Sequence, residues 1–369
     1  MSNPKYEISL LTPSGDPIAD LSGFNMLTWA RAEKKVGVAE LWIPEQAILS
    51  PSFLAVDQII EIERNGGILN ETAYFLRYAE VFDDADGNGF YYLKAYDANY
   101  LLKSRIIAFY SQSAEAAKSG YSDDMMKELV DENIVSATDT DRNLANLTIA
   151  SDLSLGAVID KAMAWDNLLV ALQDIAQTST DRGTYLSFDV VRTSRGNFQF
   201  RTYTGQRGKD HTQSSGDMIE VSEGVNFQQP NVILFDRVDE ANVAYAGGRG
   251  VADDRETTEQ EDTTRSKASP YNRREVFVDA RNTTTTAELE DKAFAALEEN
   301  KPKKSMTGYL VDTDGCQYGI DYGFGDLVTA TAKGYTMDCH LSAMSAIVSA
   351  NQEMGSRAET LTTALRGDL

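Results

Sequence analysis

The stretch Tyr318–Ala330, YGIDYGFGDLVTA, restricts the backbone more than any other part of the sequence. Gly319, Gly323 and Gly325 alternate with Tyr318, Tyr322 and Phe324, and Asp326 follows directly. Glycine at this density supplies positive φ or close backbone approach. The run then becomes Leu327-Val328-Thr329-Ala330, which reads as a strand, so the glycines describe a tightly shaped turn that delivers a strand. Asp326 is placed to tie that turn down through backbone amides, an Asx-type role. No nucleophile, metal-ligand set or phosphate cradle lies in the stretch. Its signature is structural.

A chain of 369 residues with 42% hydrophobic and 25% charged residues is long enough for two or three domains with real cores. No apolar run approaches the ~20 residues that span a bilayer. The N-terminus, MSNPKYEISLL, lacks the basic-then-apolar pattern of a secretory signal. Two cysteines, Cys316 and Cys339, cannot build a disulfide framework and are expected reduced and partly buried. The net charge of −23 should repel phosphates, which argues against nucleic-acid binding. Solubility explains that charge, and so does a surface past which DNA must slide without sticking.

Residues 1–105 read as β. Tyr6–Leu11, Phe24–Ala30, Val36–Ile43, Asp57–Arg64, Ala73–Val81 and Phe90–Ala95 are short runs separated by Gly, Pro, Asn and Asp, the spacing of a small barrel or sandwich. Asn65-Gly66-Gly67 is a hairpin signal. Asp84, Asp86, Asn88 and Gly89 match the opening of a calcium loop, but Ala95 stands where its bidentate glutamate belongs, and the flanks are strands; the plain hairpin turn fits better. Asp312–Gly315 reads as another such turn. Tyr96–Ile107 is expected to turn helical.

Residues 106–224 read as mixed α and β, with helical periodicity at Met125–Val130, Ala157–Ala164 and Trp165–Ala176. Trp165 could offer a stacking platform, but a core anchor at the start of a packed helix is the better reading. Gly183–Val191 and Phe198–Tyr203 make a hairpin. Residues 225–350 return to β, with strands at Val225–Phe235, Asn242–Ala246, Arg274–Arg281, Met306–Val311, Tyr318–Ala332 and Thr336–Ala350, and a helix over 287–300. Gly247-Gly248-Arg249-Gly250 lacks the spacing of a dinucleotide fingerprint and has no Walker lysine. The polar run 252–270 is expected as an exposed, mobile loop, and 351–369 as a polar, frayed tail.

Chemistry is hard to find. His211 lies in a polar stretch, and His340 follows Cys339 in a strand, where neighbours face opposite ways and cannot form a dyad. No nucleophile elbow or His/Cys metal spacing occurs. A carboxylate pair could serve a glycosidase, yet nothing selects one pair among 57 acidic residues. No catalytic residue, cofactor or metal is expected.

Several stretches, taken in order, resemble the tail hub proteins of long-tailed bacteriophages, the non-enzymatic N-terminal part of the tail-associated "Tal" type. Trp29–Pro44, with Gly37 opening VAELWIP, resembles the first hub strands. Asp57–Gly66, Tyr96-Asp97 and Leu101-Leu102 to Arg105-Ile106-Ile107 resemble the exit from barrel to helix, and Trp165–Ala176 the segment between barrels. Asn242–Tyr245 with Gly247, Gly248 and Gly250, then Glu275–Arg281 and Tyr318–Thr329, resemble the second barrel. The resemblance implies two tail-tube-like β-barrel domains flanking the α/β middle, and a homotrimer that forms a ring of six barrels. That ring would join a tail tube or distal tail ring to the virion's tail tip, beside tape-measure and receptor-binding proteins, and DNA would pass its lumen unbound. The chain stops shortly after the second barrel, so no hydrolase extension is expected. A glycan-binding or glycosidase module of the tail tip is one alternative, and a hub or adaptor of a contractile injection system is another.

Overall fold

The computed structural model describes residues 4–47, 55, 57–108, 115–250, 254–283, 285–351 and 356–367. Alternation sets its first strands. Val38–Pro44 buries Ala39, Leu41 and Ile43 and leaves Val38, Glu40 and Trp42 part-exposed, the period of two that one covered sheet face requires. Tyr6–Leu11, Met26–Ala32 and Gly89–Asp97 follow the same pattern.

Among the described residues these strands enter a sheet of 15. From one end its path runs through Phe227–Asp236, Lys303–Leu310, Ser356–Gly367 and Tyr335–Asn351. It continues through Met26–Ala32, Val38–Pro44, Gly89–Asp97, Tyr74–Asp83, Ile59–Arg64 and Tyr6–Leu11 to Pro17–Asp20. Met26–Ala32 pairs antiparallel with Tyr335–Asn351, from Met26 opposite Ser349 to Ala32 opposite Ala343. The first and last thirds therefore share one sheet and one core, in which Trp29, Leu41, Val328, Leu341 and Leu365 meet. The sequence suggested two separate barrels; the described strands instead form one path, with Phe227–Asp236 and Pro17–Asp20 at its ends.

The middle third has its own core. Met126, Leu129, Leu172, Ile175, Phe188 and Phe200 pack together and also take in Leu11, Ile59 and Phe75 from the large sheet. Helix Leu168–Asp181 starts at Asn167, whose side chain caps the Val170 amide. A smaller unit packs Val243–Gly247, Thr257–Glu261 and Glu275–Asp279 against helix Thr286–Glu299, which opens with a Thr285/Glu288 capping box. Ala244, Ala246, Leu289, Ala293 and Leu297 form its core.

Five expectations are corrected. The tail is not frayed: Ser356–Gly367 is an interior strand between Lys303–Leu310 and Tyr335–Asn351, and it buries Leu361 and Leu365. The stretch 252–270 holds strand Thr257–Glu261 and the short helix Thr263–Ser266, because Val243–Gly247 offers it a free edge. Residues 252–253, 352–355 and 368–369 lie outside the described residues. Val158–Met163 is a strand paired with Ala116–Tyr121; its buried Ile159 and Met163 stand four apart, a spacing that helix and strand both allow. Tyr96–Ile107 is strand as far as Asp97, and only Tyr100–Lys103 is helical. Tyr318–Asp326 is an irregular loop, the strand beginning at Leu327, while Asp312–Gly315 is a turn as expected, closed by the isolated antiparallel bridge between Thr313 and Cys316.

Leu365→Ala should lower unfolding free energy by about 3 kcal/mol in chemical denaturation, the cost of a cavity in a packed core, where a frayed tail would show almost none.

Candidate functional site

The glycine-aromatic loop is stitched to two other segments. Gly319 and Gly325 hold φ of +83° and +88°, values that glycine adopts without strain. Asp326 Oδ2 accepts the Gly323 amide at 2.6 Å, which closes the loop on itself. Its Oδ1 accepts the Lys209 amide at 2.6 Å, and Gly208 donates to the Gly325 carbonyl at 3.0 Å. A Cβ on Gly208 would lie 2.1 Å from Asp326 Oδ1, so the two backbones meet only because that residue is glycine. Gly323 has neither positive φ nor a crowded Cβ, and nothing in its surroundings demands glycine.

Three arginines hold the aromatics of this loop. Arg31 and Arg207 each place a guanidinium 4.7 Å from the centre of the Phe324 ring. Both are paired to one carboxylate: Arg31 Nη2 lies 2.9 Å from Asp189 Oδ1, and Arg207 Nε donates to Asp189 Oδ2 at 2.7 Å. Burial pushes the Asp189 carboxyl up, but the two guanidiniums outweigh it and hold the group below the ordinary range. Arg31 also donates to the Asn70 carbonyl, and Arg207 to that of Phe324. Arg64 pairs with Asp312 and Glu359, each at 2.6 Å, and donates to the Tyr318 carbonyl at 2.5 Å. Tyr318 stacks on Trp29 and bonds the Asn70 side chain.

Behind this network lies Asp97, fully buried and pushed up to about 6 by burial, against the pull of Arg31. A Cβ on Gly37 would stand 2.5 Å from Asp97 Oδ2, which accounts for the glycine that opens the VAELWIP strand.

A cleft of about 470 Å³ opens over the loop. Tyr318–Asp326 forms its floor, Leu69–Glu71 one wall, and Arg201, Tyr203 and Arg207–His211 the other. Three acids line it: Asp326, held by two amides, Asp321, which accepts the Gln317 amide at 2.8 Å, and Glu71, exposed and 3.6 Å from Arg207.

The structure thus gathers Gly319, Gly323, Gly325 and Asp326 at the cleft and places Gly37 behind its network. Gly247 and Gly250 lie in the smaller unit, where Arg255 folds over the turn and donates to the Gly247 carbonyl at 2.9 Å. Trp165 is not a core anchor: it is 61% exposed at φ +60°, and the helix starts three residues later at Leu168. His211 is buried rather than in an open loop, and Cys339 and His340 face opposite sides as expected. Sequence reading missed Arg31, Arg64, Arg207 and Asp189, since nothing local marks an arginine for burial.

Residues 7–359 match the family model described as Siphovirus ReqiPepy6 Gp37-like protein. The chain belongs to that family. No curated protein matches it. Among solved structures it is similar to the 43 kDa tail protein of prophage MuSo2 from Shewanella oneidensis, at 11% identity and a TM-score of 0.62, over 98% of both chains. The tail protein from Neisseria meningitidis MC58 gives 13% and 0.57 over 98% of this chain and 97% of that one. Prophage tail protein gp18 from Listeria monocytogenes EGD-e gives 10% and 0.57 over 98% and 94%. Family membership and fold agree with the phage tail hub resemblance that the sequence carries.

Asp189→Asn should cost about 3–5 kcal/mol in chemical denaturation, because it leaves two buried guanidiniums sharing a neutral partner.

Proposed function

We propose that this protein is a non-catalytic hub of the phage tail tip, three copies of which form a ring joining the tail tube or distal tail ring to the tip. The observation that carries the reading is the edge of the large sheet. Phe227–Asp236 ends its path and pairs on one side with Lys303–Leu310. Val232 is 58% exposed, Leu234 43% and Phe235 50%, an apolar edge that a lone chain would be expected to blunt with charge. Pro230 lies in this strand, and proline is tolerated at a sheet edge. An edge of this kind accepts a strand from a neighbouring chain by main-chain hydrogen bonds, with the apolar side chains buried beneath it.

Addition of one sheet to the next around an axis gives a closed ring when the rotation closes. Each copy's two sheet halves, from the first and last thirds, would then stand as two tube-like segments, and three copies would supply six. A net charge of −23 per chain suits a lumen that DNA crosses, since a wall without a basic track does not capture phosphate. Tape-measure and receptor-binding proteins would be neighbours at the virion's tail tip, after assembly in the host cytoplasm.

Light scattering on the purified chain should give the mass of three copies, and Val232→Lys with Leu234→Lys should give a folded monomer. Unchanged association in that double variant would remove the edge from the account.

A further inference from the structure

We propose that the surface which receives Phe227–Asp236 of a neighbouring copy is the outer half of Tyr74–Asp83, the two strands pairing antiparallel. The inference rests on the ring reading and names the second surface that such a ring needs; its test separates the two.

A head-to-tail ring joins two different surfaces of one chain. Phe227–Asp236 supplies one, and the far end of the path, Pro17–Asp20, is a poor match for it. That strand has four residues and a register shift against Tyr6–Leu11. A longer edge lies inside the path. Ile59–Arg64 pairs with Tyr74–Asp83 only at Tyr74 and Phe75, and Leu76 donates to the Gln58 carbonyl at 2.9 Å. From Tyr78 to Asp83, among the described residues, the strand is paired on one side alone, with Gly89–Asp97. All seven residues from Arg77 to Asp83 are exposed. Val81 is 57% exposed although Tyr91 opposite it is buried, so the core face of the sheet runs out uncovered at this strand. Neither lysine nor proline blunts the edge.

Strand direction selects the occupant. From Phe227–Asp236 to Tyr74–Asp83 the path counts eight strands, each antiparallel to the next. The first and the eighth therefore run in opposite senses. Rotation about an axis along the strands preserves sense, so Phe227–Asp236 of one copy meets Tyr74–Asp83 of the next antiparallel and the alternation continues. Pro17–Asp20, eleventh on the path, runs in the same sense as Phe227–Asp236 and could meet it only in parallel.

The faces agree as well. Ile233 lies opposite Met306, which is buried in the main core, so Ile233 and Phe235 are on the core face of the sheet. Buried Leu93 and Tyr91 put Ala79 and Val81 on that face too. Setting Val81 opposite Ile233 places Ala79 against Phe235, Glu80 against Leu234, Phe82 against Val232 and Tyr78 against Asp236. No like charges oppose each other across these pairs, and a small side chain meets a large ring.

Two full-length variants test this by mixing. Val232→Lys with Leu234→Lys blocks the first edge, and Ala79→Lys with Val81→Lys blocks the second. All four side chains are exposed, so both variants should keep the wild-type unfolding midpoint. Each alone should be a monomer in light scattering, where the wild type gives three copies. Mixed one to one, they should double in mass to a dimer holding one copy of each, because one open edge of each kind remains. Native mass spectrometry with one variant isotopically labelled reads that composition. Association of the Ala79 and Val81 variant on its own, or a mixture that stays monomeric, would overturn the proposal. If the wild type still gives three copies in that case, the ring stands and only the choice of edge fails. A mixed dimer beside a wild type of two copies, or of open chains, keeps the edge pairing and discards the three-copy ring. A wild type that never associates overturns both.

Discussion

Asp189 holds this molecule together at the point where its parts have least reason to stay together. It comes from the middle third, yet it neutralises Arg31 of the large sheet and Arg207 of the segment beneath the glycine-aromatic loop. The two guanidiniums then grip Phe324. None of the three charges could stay buried alone, since desolvation of an unpaired ion costs several kcal/mol or about that order. Paired, they fix the middle third's core against the large sheet and the glycine-aromatic loop. Asn99 adds to the joint by donating to Asp189 at 3.0 Å and accepting the Val190 amide at 2.9 Å. A buried polar joint of this kind specifies one arrangement more than it stabilises it.

Other contacts between the middle and the sheet follow the same logic. Glu61, buried on Ile59–Arg64, takes Arg192 and Arg195 from the hairpin of the middle third. Beside them Gly15 and Gly196 let two turns touch, since a Cβ on either would lie 2.5 Å from the opposite backbone. Glycine and arginine divide the work: one allows approach, the other sets orientation.

Much of this was legible in the sequence, for physical reasons. Strands covered on one face announce themselves by alternation, so Tyr6–Leu11 and Val38–Pro44 could be read directly. Asp326 could be assigned to a turn because an aspartate beside glycine has few other uses. Ser356–Gly367 could not, although Leu361, Thr363 and Leu365 alternate, because its partners come from Lys303–Leu310 and Tyr335–Asn351 and its flanks are polar. Thr257–Glu261 owes its conformation to the edge it joins, and only tertiary context supplies that. The arginines of the cleft were invisible for the same reason, since their partners lie far along the chain. Trp165 misled because a large aromatic next to a helix is usually core, and its positive φ turns it outward.

The functional account rests on one claim, that copies of this chain meet through a sheet edge to make the ring at a tail tip. Electron cryomicroscopy of intact tails from the virion that encodes the chain tests it most directly. The account predicts three copies in a single ring at the tip, with Phe227–Asp236 of each against its neighbour and a lumen along the axis. Copies stacked along the shaft, or three-fold density at the tip that this chain does not fit, would contradict it.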